Sequence, residues 1–216
     1  MSAPVVRGLY ALADDDPRWG RDPVEQARAA LAGGAAAVQL RAKHATDRAA
    51  LAWARAIGDL CRVHGARFFV NDRFDLALAA GADGVHLGQE DLPPERLPEA
   101  ARARLLVGRS THTLEQARAA AREPVDYVAF GPVFGTTSKA SAWDARGLDA
   151  LAEVARAVAP RPCVAIGGID AARAGACVRA GAAAVCVISA IAAAPDMEAA
   201  ARALVASIAA AERAPA

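Results

Sequence analysis

The chain has 216 residues, which suits one large domain or two small ones, and its 55% hydrophobic content supplies enough apolar material for a sizeable core. A formal net charge of +1 excludes a protein that coats a polyanion, so no nucleic-acid partner is expected, while a local basic site stays compatible with it. Cys61, Cys163, Cys177 and Cys186 show neither paired metal spacing nor a disulfide framework, the start MSAPVVRGLY has no signal-peptide core, and no charge-free apolar run reaches the roughly 18 residues of a membrane span; a cytoplasmic protein with no membrane partner is expected.

Along the chain, short β-like runs alternate with Ala-, Arg- and Glu-rich helical stretches. The candidate strands are VRGLYAL (6–12), AAVQLR (36–41), RFFVN (67–71), GVHLG (84–88), LLVGRS (105–110), YVAFG (127–131), CVAIGG (163–168) and AVCVIS (184–189). Helical stretches at 22–32, 46–63, 113–122, 147–158, 170–179 and 196–211 separate most of them, the last an amphipathic closing helix. The strands are nearly continuously apolar, as parallel strands covered by helices on their outer face must be. Eight such units imply one domain over residues 1–216, a (β/α)8 TIM barrel, with a doubly wound open sheet as the alternative. A weak repeat supports the barrel: Gly34, Gly81 and Gly181 each open a Gly-Ala segment leading into a strand, and each glycine is placed to end a helix in the left-handed conformation.

Active sites of such barrels lie at the C-terminal ends of the strands. The polar residues falling there are Gln39, Arg41 and Lys43 after strand 2; Asn71 and Asp72 after strand 3; His86, Gln89, Glu90 and Asp91 around strand 4; Ser110 and His112 after strand 5; Thr136, Thr137, Ser138 and Lys139 after strand 6; Gly167 and Gly168 after strand 7; and Ile188 and Ser189 after strand 8. Asp72 and Asp91 follow adjacent strands and are expected to share one cation, and few hard oxygen ligands with open positions suit Mg2+. Asp also favours helix N-caps and turns, but Arg41, Lys43 and Lys139 around the same mouth favour a metal-bound diphosphate. The loops after strands 7 and 8 form a second anion site of the kind that uses backbone N–H groups, with Asp170 capping the next helix. Loop 131–146 is the expected lid, its Lys139 reaching a phosphate when closed. A Schiff-base role for Lys43 or Lys139 is the weaker reading, because neither lies inside an apolar strand. His86 either fills the barrel interior or serves the site, His112 could transfer protons, and His44 and His64 read as surface residues.

The stretches QLRAK (39–43), VNDR (70–73), ADGVHLGQEDLP (82–93), GRSTHT (108–113), GPVFGTTSK (131–139), AIGGI (165–169) and VISAI (187–191), in this order, resemble the thiamine phosphate synthase family over residues 8–192. The resemblance implies a barrel that joins hydroxymethylpyrimidine diphosphate to a thiazole ethyl phosphate or its carboxylate, releasing diphosphate by a dissociative, Mg2+-assisted route. It places Gln39, Leu40, Arg41, Ala42, Lys43, Asn71, Ser110 and Lys139 on the pyrimidine diphosphate, and Asp72 and Asp91 on Mg2+. Thr136, Thr137, Ser138, Gly168, Ile188 and Ser189 fall on the thiazole phosphate, and Arg41, Lys43, Ser110 and Lys139 are the expected catalytic group. The sequence departs from the family pattern at Ala42, usually an acid, at Gly135, usually Pro, and at Ser138, usually Thr. Rival readings are a thiazole tautomerase working through His112, a non-catalytic thiazole-phosphate-binding barrel, and a phosphosugar isomerase, for which no convincing base is found. An apolar outer helix face is compatible with a homodimer.

Overall fold

The computed structural model describes residues 6–135 and 143–213. Strands β1 (Gly8–Asp14), β2 (Ala37–Arg41), β3 (Arg67–Asn71), β4 (Gly84–Leu87), β5 (Leu106–Thr111), β6 (Tyr127–Phe130), β7 (Cys163–Ile166) and β8 (Ala184–Val187) pair in parallel in chain order, and β8 returns to β1 to close the barrel. The open-sheet alternative is thereby set aside. Around them lie α1 (Pro23–Ala32), α2 (Asp47–His64), α3 (Phe74–Ala80), α4 (Glu99–Arg102), α5 (Leu114–Ala120), α6 (Gly147–Val158), α7 (Ala171–Arg179), α8 (Ser189–Ala192) and α9 (Met197–Arg213).

Helices α1, α2, α5 and α7 start where the sequence supplies a side-chain acceptor for their orphan N–H groups. Asp22 and Glu25 form a capping box at α1 with Pro23 in its first turn, and Thr46, Thr113 and Asp170 cap α2, α5 and α7. Gly34, Gly81 and Gly181 have φ of +96°, +67° and +98°, as the repeat requires. Some elements differ from the sequence reading. Helices α3 and α4 were not expected, since they are short and their N-caps offer no side-chain bond. β1 runs on to Asp14, and β8 stops at Val187, so Ser189 opens α8 instead of closing a strand. None of the described helices is long and apolar enough to cross a membrane.

Because side chains alternate along a strand, the barrel sorts its residues into two cores. Leu9, Val38, Leu40, Phe68, Val70, Val85 and Val128 face the helices. Tyr10, Leu12, Phe69, Tyr127, Val164 and Cys186 face inward. Tyr10, Phe69 and Tyr127 form an aromatic plug with ring centroids 5.4–6.2 Å apart. Glycines on neighbouring strands make room for these rings. A Cβ at Gly108 would lie 2.1 Å from Tyr127 Cζ, and one at Gly84 would lie 2.6 Å from Phe69 Cε1. The four cysteines are buried thiols, and burial pushes Cys61 and Cys163 up to about 12 and Cys177 to about 11, which leaves them unreactive.

Gly108→Ala should destabilise the fold by roughly 1–3 kcal/mol, the range for overpacking a filled core. Urea unfolding checks this, and a midpoint equal to that of the parent would mean that the plug can shift to accept the methyl group.

Candidate functional site

A pocket opens at the C-terminal ends of the strands. Gln39, Arg41, Asn71, His86 and Ser110 line it on the β2–β5 side, and Gly167, Gly168, Ile188 and Ser189 on the β7–β8 side. Between them lie apolar walls from Leu12, Val164, Ile166 and Ile169. Residues that composition scatters along the chain are collected here by one rule: each is an inward position near the end of its strand.

The floor of the pocket is a buried polar chain. Gln39 Nε2 donates to the Tyr10 hydroxyl (2.7 Å), which lies 3.1 Å from the Tyr127 hydroxyl. Tyr127 in turn is 2.9 Å from His86 Nδ1, and His86 Nε2 is 2.8 Å from Ser110 Oγ. Burial raises both phenols well above their ordinary range, so they stay protonated. The Ser110–His86 contact has the reach of a nucleophile–base pair, but the far ring nitrogen meets a neutral phenol where a carboxylate would be needed to stabilise an imidazolium. The chain therefore works as a fixed hydrogen-bonding surface that orients Gln39 and Ser110.

Arg41 is set by a buried ion pair. Its Nη1 donates to Asp14 Oδ1 at 2.8 Å, across the β1–β2 register in which Asp14 and Arg41 are partners. The Asp14 side chain is 0% exposed and that of Arg41 12%. Trp19 Nε1 donates to the other Asp14 oxygen (3.1 Å). Removing one member of such a pair costs about 3–5 kcal/mol, because the other charge is left buried and unpaired. The next residue, Asp15, accepts from the backbone N–H groups of Lys43, His44 and Ala45, each at 2.8 Å, and so fixes the loop that carries Lys43.

Asp72 and Asp91 lie at the rim beside Asn71, close enough for Asp72 to bear on the Asp91 carboxyl. Asp72 is also paired with Lys43 Nζ. Asp72 has a left-handed backbone (φ +62°), uncommon for a residue with a side chain, and it caps no helix. Asp91 Oδ2 accepts from Gly88 N–H (2.6 Å), so this carboxylate also serves a local turn. Burial first, and then Asp72, holds the Asp91 carboxyl above its ordinary range, partly offset by the Gly88 bond. Among the described residues no group of three or more Asp, Glu, His or Cys side chains is placed to hold a metal ion, so the two carboxylates stand as a pair.

On the opposite wall Gly167 and Gly168 have φ of +103° and +64°. A Cβ at Gly167 would lie 2.5 Å from Pro132 Cα, and one at Gly168 would lie 2.2 Å from the Gly135 carbonyl, so the β6 and β7 loops pack backbone to backbone. Val133 N–H and Phe134 N–H donate to the carbonyls of Ile166 and Gly167, and Arg146 N–H to that of Pro132, which anchors both ends of the β6 loop at the mouth. His112 lines the pocket with Nδ1 2.6 Å from the Gly131 carbonyl and its ring stacked on Trp143.

Two expected residues are placed differently from the rest of the set. Leu40 is 0% exposed in the helix-facing core, because strand alternation turns it away from Gln39 and Arg41, and Ala42 packs against the same core; neither lines the pocket. Thr136, Thr137, Ser138 and Lys139 lie outside the described residues. Sequence reasoning missed Tyr10, Tyr127, Asp14 and Asp15. The strand-end rule, applied to ADDD after β1 as it was to VNDR after β3, would have found the two acids.

Comparison with known proteins finds relatives across nearly the whole chain. The family model described as thiamine monophosphate synthase matches residues 9–191. A thiamine-phosphate synthase of Anaeromyxobacter dehalogenans is 54% identical over 197 residues, covering 90% of this chain and 84% of that protein. One of Roseiflexus castenholzii is 46% identical over 202 residues, covering 93% and 88%. The solved thiamine phosphate pyrophosphorylase from Pyrococcus furiosus superposes with a TM-score of 0.85 at 36% identity, covering 94% of this chain and 96% of that one.

A carboxyl whose pKa is raised by folding favours the folded state below its unfolded pKa and loses that contribution as pH rises through the folded value. Metal-free protein should thus lose stability from about pH 4 toward neutrality on account of Asp91. Asp91→Asn, which keeps an acceptor for Gly88, should flatten that part of the profile and raise Tm at neutral pH. Thermal melts in EDTA across this range check it; a profile matching the parent's would show that the two carboxylates do not oppose each other.

Proposed function

The chain belongs to the thiamine monophosphate synthase family, and we propose that it is a transferase joining hydroxymethylpyrimidine diphosphate to thiazole ethyl phosphate, or to the carboxylated thiazole, with release of diphosphate. The observation that supports this most is one pocket lined by Arg41 on one wall and by Gly167, Gly168 and Ser189 on the other. In this reading Arg41, with the Lys43, Asp72 and Asp91 cluster that Lys43 ties to it along the chain, takes one anion, and the backbone around Gly168 and Ser189 takes the other. Two phosphorylated substrates entering from opposite walls would meet above the Gln39–Tyr10–Tyr127–His86–Ser110 chain.

In this reading the C–O bond to diphosphate breaks first, and the thiazole nitrogen then captures the pyrimidine-stabilised cation. The protein supplies no nucleophile. Arg41 and Lys43 offset the charge that develops on the departing diphosphate. Asn71, Gln39 and Ser110 hold the pyrimidine end, while the apolar walls exclude the water that would otherwise consume the cation. Asp72 and Asp91 fit Mg2+ by their chemistry: they are hard oxygen donors whose mutual repulsion a divalent cation would relieve, and their small number leaves positions for substrate oxygens. Bound there, Mg2+ would supply further positive charge toward the diphosphate. Gly168, Ile188 and Ser189, with Thr136, Thr137 and Ser138 from the β6 loop, hold the thiazole phosphate at the far wall.

The test is formation of thiamine phosphate and diphosphate from the two substrates with Mg2+. Product should vanish with EDTA and in Asp72→Ala, with the fold retained by circular dichroism. Turnover in EDTA, or full activity in Asp72→Ala, would remove the metal assignment and leave the rest standing. No product from either thiazole, with proton exchange on the carboxylated form, would move the assignment to isomerisation at His112. Lys139→Ala should chiefly lower kcat, since it would act on charge developing in the transition state.

A further inference from the structure

We propose that Asp14 is a positioning residue for the reaction: a fully buried carboxylate that aims the Arg41 guanidinium at the diphosphate end of the pocket. This rests on the proposed role of Arg41. Asp14 does not line the pocket, so it cannot touch substrate, whereas Arg41 does line it.

Every group of Asp14 is held. Its N–H donates to Gln26 Oε1 (3.1 Å), and its carbonyl accepts from Gln26 Nε2 (2.8 Å). One carboxylate oxygen accepts from Arg41 and the other from Trp19. Gln26 is itself only 2% exposed, on a capped helix, so α1 continues the hydrogen bonding of β1 past its last residue and clamps the Asp14 peptide. Trp19 packs on the inward-facing core and covers the carboxylate. An Arg side chain carries many rotatable bonds, and a pocket-lining one needs a partner to hold it in a single orientation. Here one donor is fixed on Asp14, and the planar fork that remains is pre-organised at the wall, which lowers the cost of ordering it when an anion arrives. A buried carboxylate is costly unless such a partner pays for it, and this pair sits at the one place where its geometry also serves a ligand.

The experiment is a double-mutant cycle with Asp14→Asn and Arg41→Gln, reading kcat/KM for the pyrimidine diphosphate and, separately, the Kd of the thiazole phosphate. Asn fills the same space and keeps an acceptor, so the variant should fold; Tm is followed throughout. Asp14→Asn should lower kcat/KM for the pyrimidine diphosphate about tenfold, the scale of weakening one charge-assisted bond, and leave the thiazole phosphate Kd unchanged. In the Arg41→Gln background the same substitution should cost nothing further in kcat/KM, and the neutral double variant should melt higher than Arg41→Gln alone, because no unpaired buried charge is left. The double variant keeps the test informative if Arg41→Gln alone is too unstable to assay: it should then match Arg41→Lys/Asp14→Asn in thiazole phosphate Kd while both lose pyrimidine diphosphate turnover. A full loss from Asp14→Asn in the Arg41→Gln background, or an equal loss toward both substrates, would overturn the proposal and make Asp14 a purely structural residue. If Arg41→Gln leaves kcat/KM for the pyrimidine diphosphate intact, the functional reading of Arg41 fails first, and the positioning role falls with it.

Discussion

Closing eight parallel strands into a ring is the constraint from which the rest of the molecule follows. It removes both sheet edges and forces side chains to alternate between a helix-facing shell and a narrow interior. The interior cannot hold eight large side chains in one layer. Gly84 and Gly108 yield their space to Phe69 and Tyr127, and the resulting plug blocks the barrel below the mouth. Polar groups are thus confined to the upper end of the interior, where the inward positions of β2, β3, β4 and β5 deliver Gln39, Arg41, Asn71, His86 and Ser110 to one pocket.

The same constraint explains why so many polar contacts at this end are made within the protein. An inward polar side chain below the pocket has no access to bulk water, so it must find a partner or lose the full desolvation penalty. The Gln39–Tyr10–Tyr127–His86–Ser110 chain meets that requirement with hydroxyl and ring groups kept neutral by burial. The Asp14–Arg41 pair meets it with opposite charges, and the clamp from Gln26 extends the order of the strand into the loop. Satisfying these groups also fixes their orientation, so the requirement for burial produces a rigid recognition surface without any separate device.

Much of this was legible in the sequence because parallel strands buried on both faces read as unbroken apolar runs, and all eight were visible as such. The helices with side-chain caps were legible for the same kind of local reason, and so was α6, long enough to show its apolar face without one, whereas the short, uncapped α3 and α4 were not. The strand-end rule singled out Asp72, Asp91, Ser110 and Ser189, since their polar character stands out against an apolar run; Ser110 and Ser189 line the pocket, and the two aspartates lie together beside Asn71. It could not tell that Tyr10 and Tyr127 belong to the pocket floor, because an aromatic inside a strand looks like core until the register shows which hydroxyls meet. Asp14 was hidden by a boundary: ending β1 at Leu12 turned an inward strand position into an anonymous loop acid. Leu40 shows the converse, a residue inside a recognised motif whose side chain alternation sends to the other core.

The rim pays in stability for what it holds. Asp72 keeps a left-handed backbone, a conformation that costs of order 1–3 kcal/mol for a residue with a side chain. Its carboxylate faces a second one that burial already disfavours as an anion, and among the described residues Lys43 on one flank and Gly88 N–H on the other offset the charge. Neither the left-handed backbone nor the second negative charge is needed by the fold: Asn at 91 would keep the acceptor for Gly88 without the charge, and glycine at 72 would relax the backbone. Both are tolerated because Asp72 is bonded through its N–H to the His86 carbonyl at the end of a closed sheet, whose packing over-determines its position. Strain and repulsion are thus collected at the polar rim of a well-packed barrel, the part of the molecule whose packing can hold a costly arrangement in place.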